Sequence, residues 1–411
     1  MSLQEIFATR ANRMKASEIR ELLKLLDQPD IISFAGGIPD PDLFPKTAFQ
    51  DAFAEALNGP MAAQGLQYST SEGHKPLRVW IAAQMQAIGI PATPDNILIT
   101  SGSQQALDYL GKLFLSPGDT ALVGWPTYLG ALGAFNAYEP RYDKLDPLSN
   151  RSGADYIAAA KEAGGAAKFA YLSVDFANPT GATVGRAARE RVIDLAEEMD
   201  IAVIEDAAYQ SLRFDGDAIP PILALEAERR NGDLEACRTI YCGSFSKTLS
   251  PGLRVGWVCA AMPVISQLVL MKQAADLHSA TLNQIAVASV AEQHFDSHDP
   301  QRLPCPSRRY AGSAAGAYAR WCELDQTRRR HVHLGDTARH AGRGRSAETI
   351  AGKRTGRLCT GARVFRGRVG AQYVAAQLFH LDRRQDRGRD RALGPVDHPR
   401  AERLIRKRAA G

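Results

Sequence analysis

Short apolar runs alternate with helix-type patterns between about residues 97 and 245. The runs are four to seven residues long, and apolar residues at helical spacing fill two of the intervals between them. Such strand–helix–strand units predict an α/β fold, with a mainly parallel sheet covered by helices. The strand-like runs are ILIT (97–100), TALVG (120–124), KFAYLSV (168–174), IAVIE (201–205) and TIYCG (239–243), and the clearest helical patterns cover 103–115 and 184–199.

Polar segments rich in turn-forming residues follow these runs directly. In open α/β sheets the ligand crevice lies at the carboxyl ends of the strands. Separate parts of the chain are therefore predicted to converge on one site. The segments are SGSQQ (101–105), NPTG (178–181), EDAAY (205–209) and SFSK (244–247).

Lys247 lies in the segment GSFSKTLSPGLRVGW (243–257). Ser244 and Ser246 precede it and Arg254 follows, and such hydroxyl and guanidinium groups are well suited to bind phosphate. A lysine beside a phosphate site can hold an aldehyde cofactor as a Schiff base. The alternative is a solvated surface lysine, but the surrounding groups favour the cofactor.

The segment Gly102–Ser103–Gln104 opens a predicted helix directly after a strand. The free N–H groups and the dipole at a helix N-terminus attract an anion, which predicts a second part of the phosphate site. A serine at this place is also a common N-cap. Both roles are compatible.

Two neighbouring carboxylates, Glu205 and Asp206, end the strand-like run IAVIE. A carboxylate beside a pyridine nitrogen keeps that nitrogen protonated, so that the ring accepts electrons. The alternation of the strand does not choose between the two residues. A helix cap or a turn is the structural alternative.

Three further residues could contact a pyridine cofactor. The side chains of Asn178 and Tyr209 could bind its phenolic oxygen, and the ring of Tyr128 could stack on its face. The structural alternatives are a turn at NPTG and a core aromatic residue at Tyr128. The Asn178–Pro179 bond is a candidate for the cis form.

Composition limits the classes of protein that fit. The chain has 411 residues, which predicts two domains or one domain with an extension. It contains no uncharged apolar stretch of about 18 residues and no N-terminal signal peptide, which argues against a membrane protein. Its six cysteines show no metal-binding spacing, so we expect no metal site and a reducing, cytoplasmic location.

With these motifs the chain resembles the fold-type-I enzymes that use pyridoxal 5'-phosphate (PLP), in particular class I/II aminotransferases similar to 2-aminoadipate and kynurenine aminotransferases. The resemblance runs from about residue 10 to about residue 298. Its motifs are ISFAGGIPDPDLFP (32–45), LQYSTSEGHKPLR (66–78), ITSGSQQALD (99–108), DFANPTG (175–181), IEDAAYQSLRFDG (204–216) and GSFSKTLSPGLRVGW (243–257).

The resemblance implies a role for each matching residue. Lys247 binds the cofactor and shuttles the proton, Asp206 pairs with the ring nitrogen, and Tyr128 stacks on the ring. Tyr68 would reach the cofactor phosphate of a neighbouring subunit, which implies a homodimer. Arg20 and Gly37 are candidate substrate contacts, although Arg20 could equally be a surface residue of an amphipathic helix. Asn178 and Tyr209 are implied to bind the phenolic oxygen, and Ser103, Gln104, Ser244, Ser246 and Arg254 the phosphate.

The implied reaction moves an amino group from an α-amino acid to a 2-oxo acid, with 2-oxoglutarate as the expected acceptor. The expected division is an N-terminal arm (1–45), a large PLP-binding domain (46–290) and a small-domain region (291–411). A PLP-dependent lyase on the same fold is the nearest alternative. A regulator that fuses this fold to a DNA-binding module is disfavoured, because only about 30 residues precede ISFAGG.

The charge balance changes abruptly near residue 300. Residues 301–411 contain 26 Lys and Arg against 9 Asp and Glu, and all seven Met residues precede residue 300. The family's carboxylate-binding segment, of the type N-x-L-R-L-x-F, is absent there. We interpret the sequence after about residue 298 as read from a shifted frame, because shifted codons permit YRARRDAMLAAL, PDGGMFIWV and NTLRLSFS in family order. An inactive product is then one outcome, and a basic nucleic-acid-binding tail is the rival interpretation.

Overall fold

The computed structural model describes residues 3–14, 39–213 and 216–294. The candidate substrate contacts Arg20 and Gly37 lie outside the described residues. So does the region to which the prediction of a shifted reading frame applies.

Within the described ranges, seven strands form one mixed sheet whose order is β1-β7-β6-β5-β4-β2-β3. The strands β6, β5, β4, β2 and β3 are all parallel to their neighbours in this series. Strand β7 runs antiparallel to both of its neighbours, β6 and β1. The predicted α/β fold with a mainly parallel sheet is confirmed. The strands are β1 (Ile97–Thr100), β2 (Thr120–Val123), β3 (Arg141–Lys144), β4 (Ala167–Leu172), β5 (Ala202–Asp206), β6 (Thr239–Ser244) and β7 (Gly256–Cys259).

Helices occupy the intervals between the strands and cover the sheet. Their apolar sides pack on it and bury the core residues, which the pattern of the sequence predicted for 103–115 and 184–199. The α-helices are α1 (Lys46–Asn58), α2 (Ala62–Leu66), α3 (Lys75–Ala87), α4 (Ser103–Phe114), α5 (Leu129–Asn136), α6 (Gly153–Glu162), α7 (Arg186–Met199), α8 (Ile222–Arg229), α9 (Met262–Ala275) and α10 (Thr281–His294).

Strand β5 shows how the sheet separates two cores. Ile204 belongs to the cluster that contains Phe169 and Tyr171 of β4, whereas Val203 belongs to the cluster formed with α7. Successive side chains of a strand point to opposite faces, so these neighbours enter different layers. The same alternation determines where the two carboxylates at the end of β5 lie.

Among the described residues, none of the helices combines the length and the apolar character that a membrane span requires.

Candidate active site

Lys247 lies in a turn immediately after β6, at the edge of the sheet where the parallel strands end. Its side chain is partly buried, and Nζ lies 5.7 Å from the centre of the Tyr209 ring. Burial lowers the pKa of Lys247 to about 8. A lysine in this environment carries far more of the nucleophilic free amine at neutral pH than a surface lysine does.

The N-terminus of α4 forms the base of the predicted phosphate site. The N-cap of the helix is Gly102, with a φ of 80° and no side-chain cap, so Ser103 is the first helical residue. The interpretation of Ser103 as an ordinary N-cap is therefore wrong. The first N–H groups of a helix have no partner within the helix, and here they remain available to an anion.

Arg254 packs directly against this helix start. A β-carbon on Gly102 would lie 2.3 Å from Arg254 Nη2, so any other residue at this position would displace the guanidinium group. Arg254 Nη2 donates to the Ser101 carbonyl at 3.4 Å, and Nη1 reaches Ser246 Oγ at 3.5 Å. The structure thus brings Ser103 of one segment together with Ser246 and Arg254 of another.

Two other predicted phosphate residues make local hydrogen bonds. Ser244 Oγ is buried and accepts from the Ser246 backbone N–H at 3.1 Å, which fixes the turn before Lys247. The exposed Gln104 side chain donates to the Gly130 carbonyl at 2.7 Å. Its backbone N–H, in the first turn of α4, is the group that it can offer to an anion.

Asp206 and Glu205 enter opposite faces of the sheet. The Glu205 carboxylate accepts from the backbone N–H groups of Ile222 and Leu223 at 2.9 and 3.1 Å, at the start of α8. It therefore caps a helix, and burial raises its pKa to about 7. Asp206 lies on the other face, with Tyr171 as its partner, and is the carboxylate available to a ligand.

The Asp206 carboxylate is 5% exposed, and its Oδ2 accepts from the Tyr171 hydroxyl at 2.7 Å. The Ala208 backbone N–H donates to Oδ1 at 3.4 Å. Burial raises the pKa of Asp206, and both hydrogen bonds oppose that effect. Tyr171 was not predicted from the sequence, because its link to Asp206 depends on the register that places both side chains on the same face of the sheet.

Tyr128 precedes α5 and lies near the carboxylate. Burial is the largest cause of its raised pKa, and the charge of Asp206 adds to it, whereas Arg254 lowers it. The Tyr128 ring passes over Gly130, where a β-carbon would lie 2.3 Å from the ring. Tyr128 is therefore close enough to interact electrostatically with both Asp206 and Arg254.

Asn178 lies on the loop after β4, next to β5, and its peptide bond to Pro179 is cis. Asp175 Oδ1 anchors this loop by accepting from Arg189 at 2.8 Å and from Arg213 at 2.7 Å. Arg213 follows the segment that carries Tyr209, so a single buried carboxylate links both loops that were predicted to contact the phenolic oxygen.

Tyr68 does not join these residues. It is 79% exposed, and its ring makes an edge-on contact with His278 at 6.1 Å between centroids. Within the described part of the chain, no cluster of three or more His, Cys, Asp or Glu residues could hold a metal ion.

Comparison with known proteins identifies the family of the chain. The family described as "Aminotransferase class I and II" matches residues 30–303, which is most of the chain. The chain belongs to the class I and II aminotransferase family. The match ends close to the position where the charge balance of the sequence changes.

Two relatives and one solved structure of this aminotransferase family illustrate the similarity. Aromatic-amino-acid aminotransferase 1 of Thermococcus litoralis is 39% identical over 308 residues, covering 73% of this chain and 72% of the relative. The 2-aminoadipate transaminase of Thermus thermophilus is 41% identical over 298 residues, covering 72% and 71%.

The solved structure is LysN, the α-aminoadipate aminotransferase of Thermus thermophilus, complexed with N-(5'-phosphopyridoxyl)-L-leucine. Its TM-score is 0.62 at 37% identity, and the match covers 75% of this chain and 73% of LysN. The predicted family and fold are confirmed by these matches.

Proposed function

We propose that the protein is a PLP-dependent aminotransferase in which Lys247 binds the cofactor. The observation that carries this proposal is that a partly buried lysine, an anion site and a buried carboxylate lie at the same edge of the sheet. The anion site consists of the α4 N-terminus and Arg254, and the carboxylate is Asp206. The phosphopyridoxyl-leucine compound bound in LysN supports the same choice, because it carries a phosphate and a pyridine ring.

The residues present fit this cofactor. Gly102 leaves the space that Arg254 occupies beside the helix start, where a phosphate would meet a guanidinium group, a hydroxyl and free N–H groups. Ser103, Gln104, Ser244 and Ser246 complete this part of the proposed site. Asp206 would pair with the ring nitrogen, and Tyr128 would stack on the ring.

When bound, PLP supplies an electron sink that stabilises negative charge at the substrate α-carbon. In our proposal, Lys247 Nζ takes the proton from that carbon and later returns one to the product. Its lowered pKa suits both tasks near neutral pH. Asn178 and Tyr209 would hold the phenolic oxygen and thereby fix the plane of the ring.

The substrates that we propose are an α-amino acid and a 2-oxo acid, with 2-oxoglutarate as acceptor. The 2-aminoadipate transaminase and LysN favour a donor similar to 2-aminoadipate. The exposed Tyr68 supports a homodimer in which it contacts the partner's phosphate site. We also propose a cytoplasmic location, without a nucleic-acid or membrane partner.

A panel of amino donors and 2-oxo acid acceptors tests this proposal. We expect Lys247-dependent consumption of 2-oxoglutarate with at least one donor, and loss of that activity in Lys247→Ala. Asp206→Asn should slow the reaction far more than it weakens PLP retention, because it removes the charge but keeps a hydrogen-bonding side chain. Full turnover by Lys247→Ala would overturn the assignment. Full turnover by Asp206→Asn would exclude the role of that carboxylate.

A further inference from the structure

The Tyr171 hydroxyl is the shortest hydrogen-bond donor to the Asp206 carboxylate among the described residues, at 2.7 Å. Both groups are buried, with Tyr171 fully inaccessible and Asp206 5% exposed. A hydrogen bond to a charged group in such surroundings is stronger than one in water, and its loss leaves the charge poorly solvated. The pair is therefore sensitive to removal of a single oxygen atom.

The sheet places Tyr171 in register for this contact. Tyr171 of β4 pairs with Ile204 of β5, two residues before Asp206 on the same face. Its ring packs edge-on against Phe135 at 5.5 Å, which fixes the direction of the hydroxyl group. The donor is held by packing that is independent of any ligand.

The negative charge of the Asp206 carboxylate is stabilised by hydrogen bonds, because the titratable side chains that surround it are neutral. In the part of the chain that the structure describes, three titratable side chains interact with the Asp206 carboxylate from neighbouring elements: Tyr171 on β4, Tyr128 before α5 and Cys242 on β6. Burial raises the pKa of all three, so they are neutral near pH 7. Arg254 acts on Tyr128 from the phosphate side of the site.

We propose that Tyr171 is a positioning residue that orients the Asp206 carboxylate and keeps it ionised toward the cofactor's ring nitrogen. Tyr171 itself touches neither substrate nor the reacting atoms. This inference rests on the proposed function, since it assigns Asp206 to the ring nitrogen. It adds a residue from the sheet interior to the proposed site.

The test compares Tyr171→Phe with the matched control Tyr142→Phe in the full chain. Tyr142 donates its hydroxyl to Asn136 Oδ1 at 2.8 Å near the far edge of the sheet, so its loss is chemically equivalent but remote. Asp206 is titrated in the cofactor-free protein by carbon-13 NMR of labelled aspartate carboxyls. Asp206→Asn identifies the signal. PLP affinity is measured by fluorescence titration.

We expect Tyr171→Phe to raise the titration midpoint of the Asp206 carboxyl group by about one pH unit or more. The same substitution should weaken PLP binding by about tenfold. Tyr142→Phe should change neither quantity. An unchanged Asp206 midpoint in Tyr171→Phe overturns the proposal, as does a shifted midpoint with unchanged PLP affinity. If the wild-type chain binds no PLP, the proposed function fails instead, whereas the titration still reports on the Tyr171 contact.

Discussion

The pH dependence of covalent PLP binding is a direct consequence of the environment of Lys247. Its pKa is lowered from 10.5 to about 8 because the ammonium group is buried. At pH 7.5 this raises the fraction of free amine from about 0.1% to about 24%, a gain of roughly 250-fold. We therefore expect PLP added to the cofactor-free chain to bind Lys247 selectively. The rate of binding should rise with pH and reach half its maximum near pH 8.

The assay is stopped-flow absorbance of the PLP–lysine adduct between pH 6 and 10. Borohydride reduction and peptide mapping then identify the labelled lysine. Lys247→Ala should lose the fast phase, while Lys75→Ala, which removes an exposed lysine at the start of α3, serves as the matched control. A midpoint near 10.5, or a label distributed over several lysines, would refute the reasoning.

Three further predictions concern the phosphate site, the second carboxylate and the C-terminal region. Gly102→Ala places a methyl group 2.3 Å from Arg254 Nη2, so equilibrium titration should show PLP affinity at least tenfold weaker. The control is Gly133→Ala, whose added methyl group meets no atom within 4 Å and should leave PLP affinity as in wild type. The folded pKa of Glu205, about 7, exceeds its ordinary 4.5, so the stability it contributes is present below pH 4.5 and is lost as the pH rises through 7. Chemical unfolding should show a loss of up to about 3 kcal/mol across this range, and a Glu205→Gln profile as steep as that of wild type would contradict it. Sequencing around codons 298–302 should reveal a single-nucleotide shift. The frame-corrected protein should transaminate roughly a hundredfold faster, because it regains a charge-assisted substrate contact. If the DNA confirms the present reading frame and the protein is fully active, this prediction is rejected.

The parts of the site that follow one another along the chain could be predicted from the sequence. Lys247, its flanking serines and Arg254 form one continuous segment after an apolar run, and turn residues marked the ends of β4 and β5. The strands β3 and β7 were not predicted. The exposed sequence RYDK of β3 carries no apolar signal, and β7 runs antiparallel at the end of the Lys247 segment.

The remaining features depend on contacts between distant residues. The choice between Glu205 and Asp206 is fixed by which face of the sheet meets α8, and that helix begins seventeen residues after Glu205. Tyr171 reaches Asp206 only through the register of β4 on β5. Asp175 binds two arginines that follow it by 14 and 38 positions. Strand register and side-chain reach determine these contacts, and residue types alone do not specify them.

The central claim is that this chain transfers an amino group through PLP held by Lys247. Its most direct test is a single half-reaction, in which the PLP-loaded chain is mixed with an amino donor such as 2-aminoadipate and no 2-oxo acid. We predict conversion of PLP to pyridoxamine 5'-phosphate, reversed by 2-oxoglutarate and absent in Lys247→Ala. Unchanged PLP accompanied by release of carbon dioxide or ammonia would contradict the account and indicate a lyase.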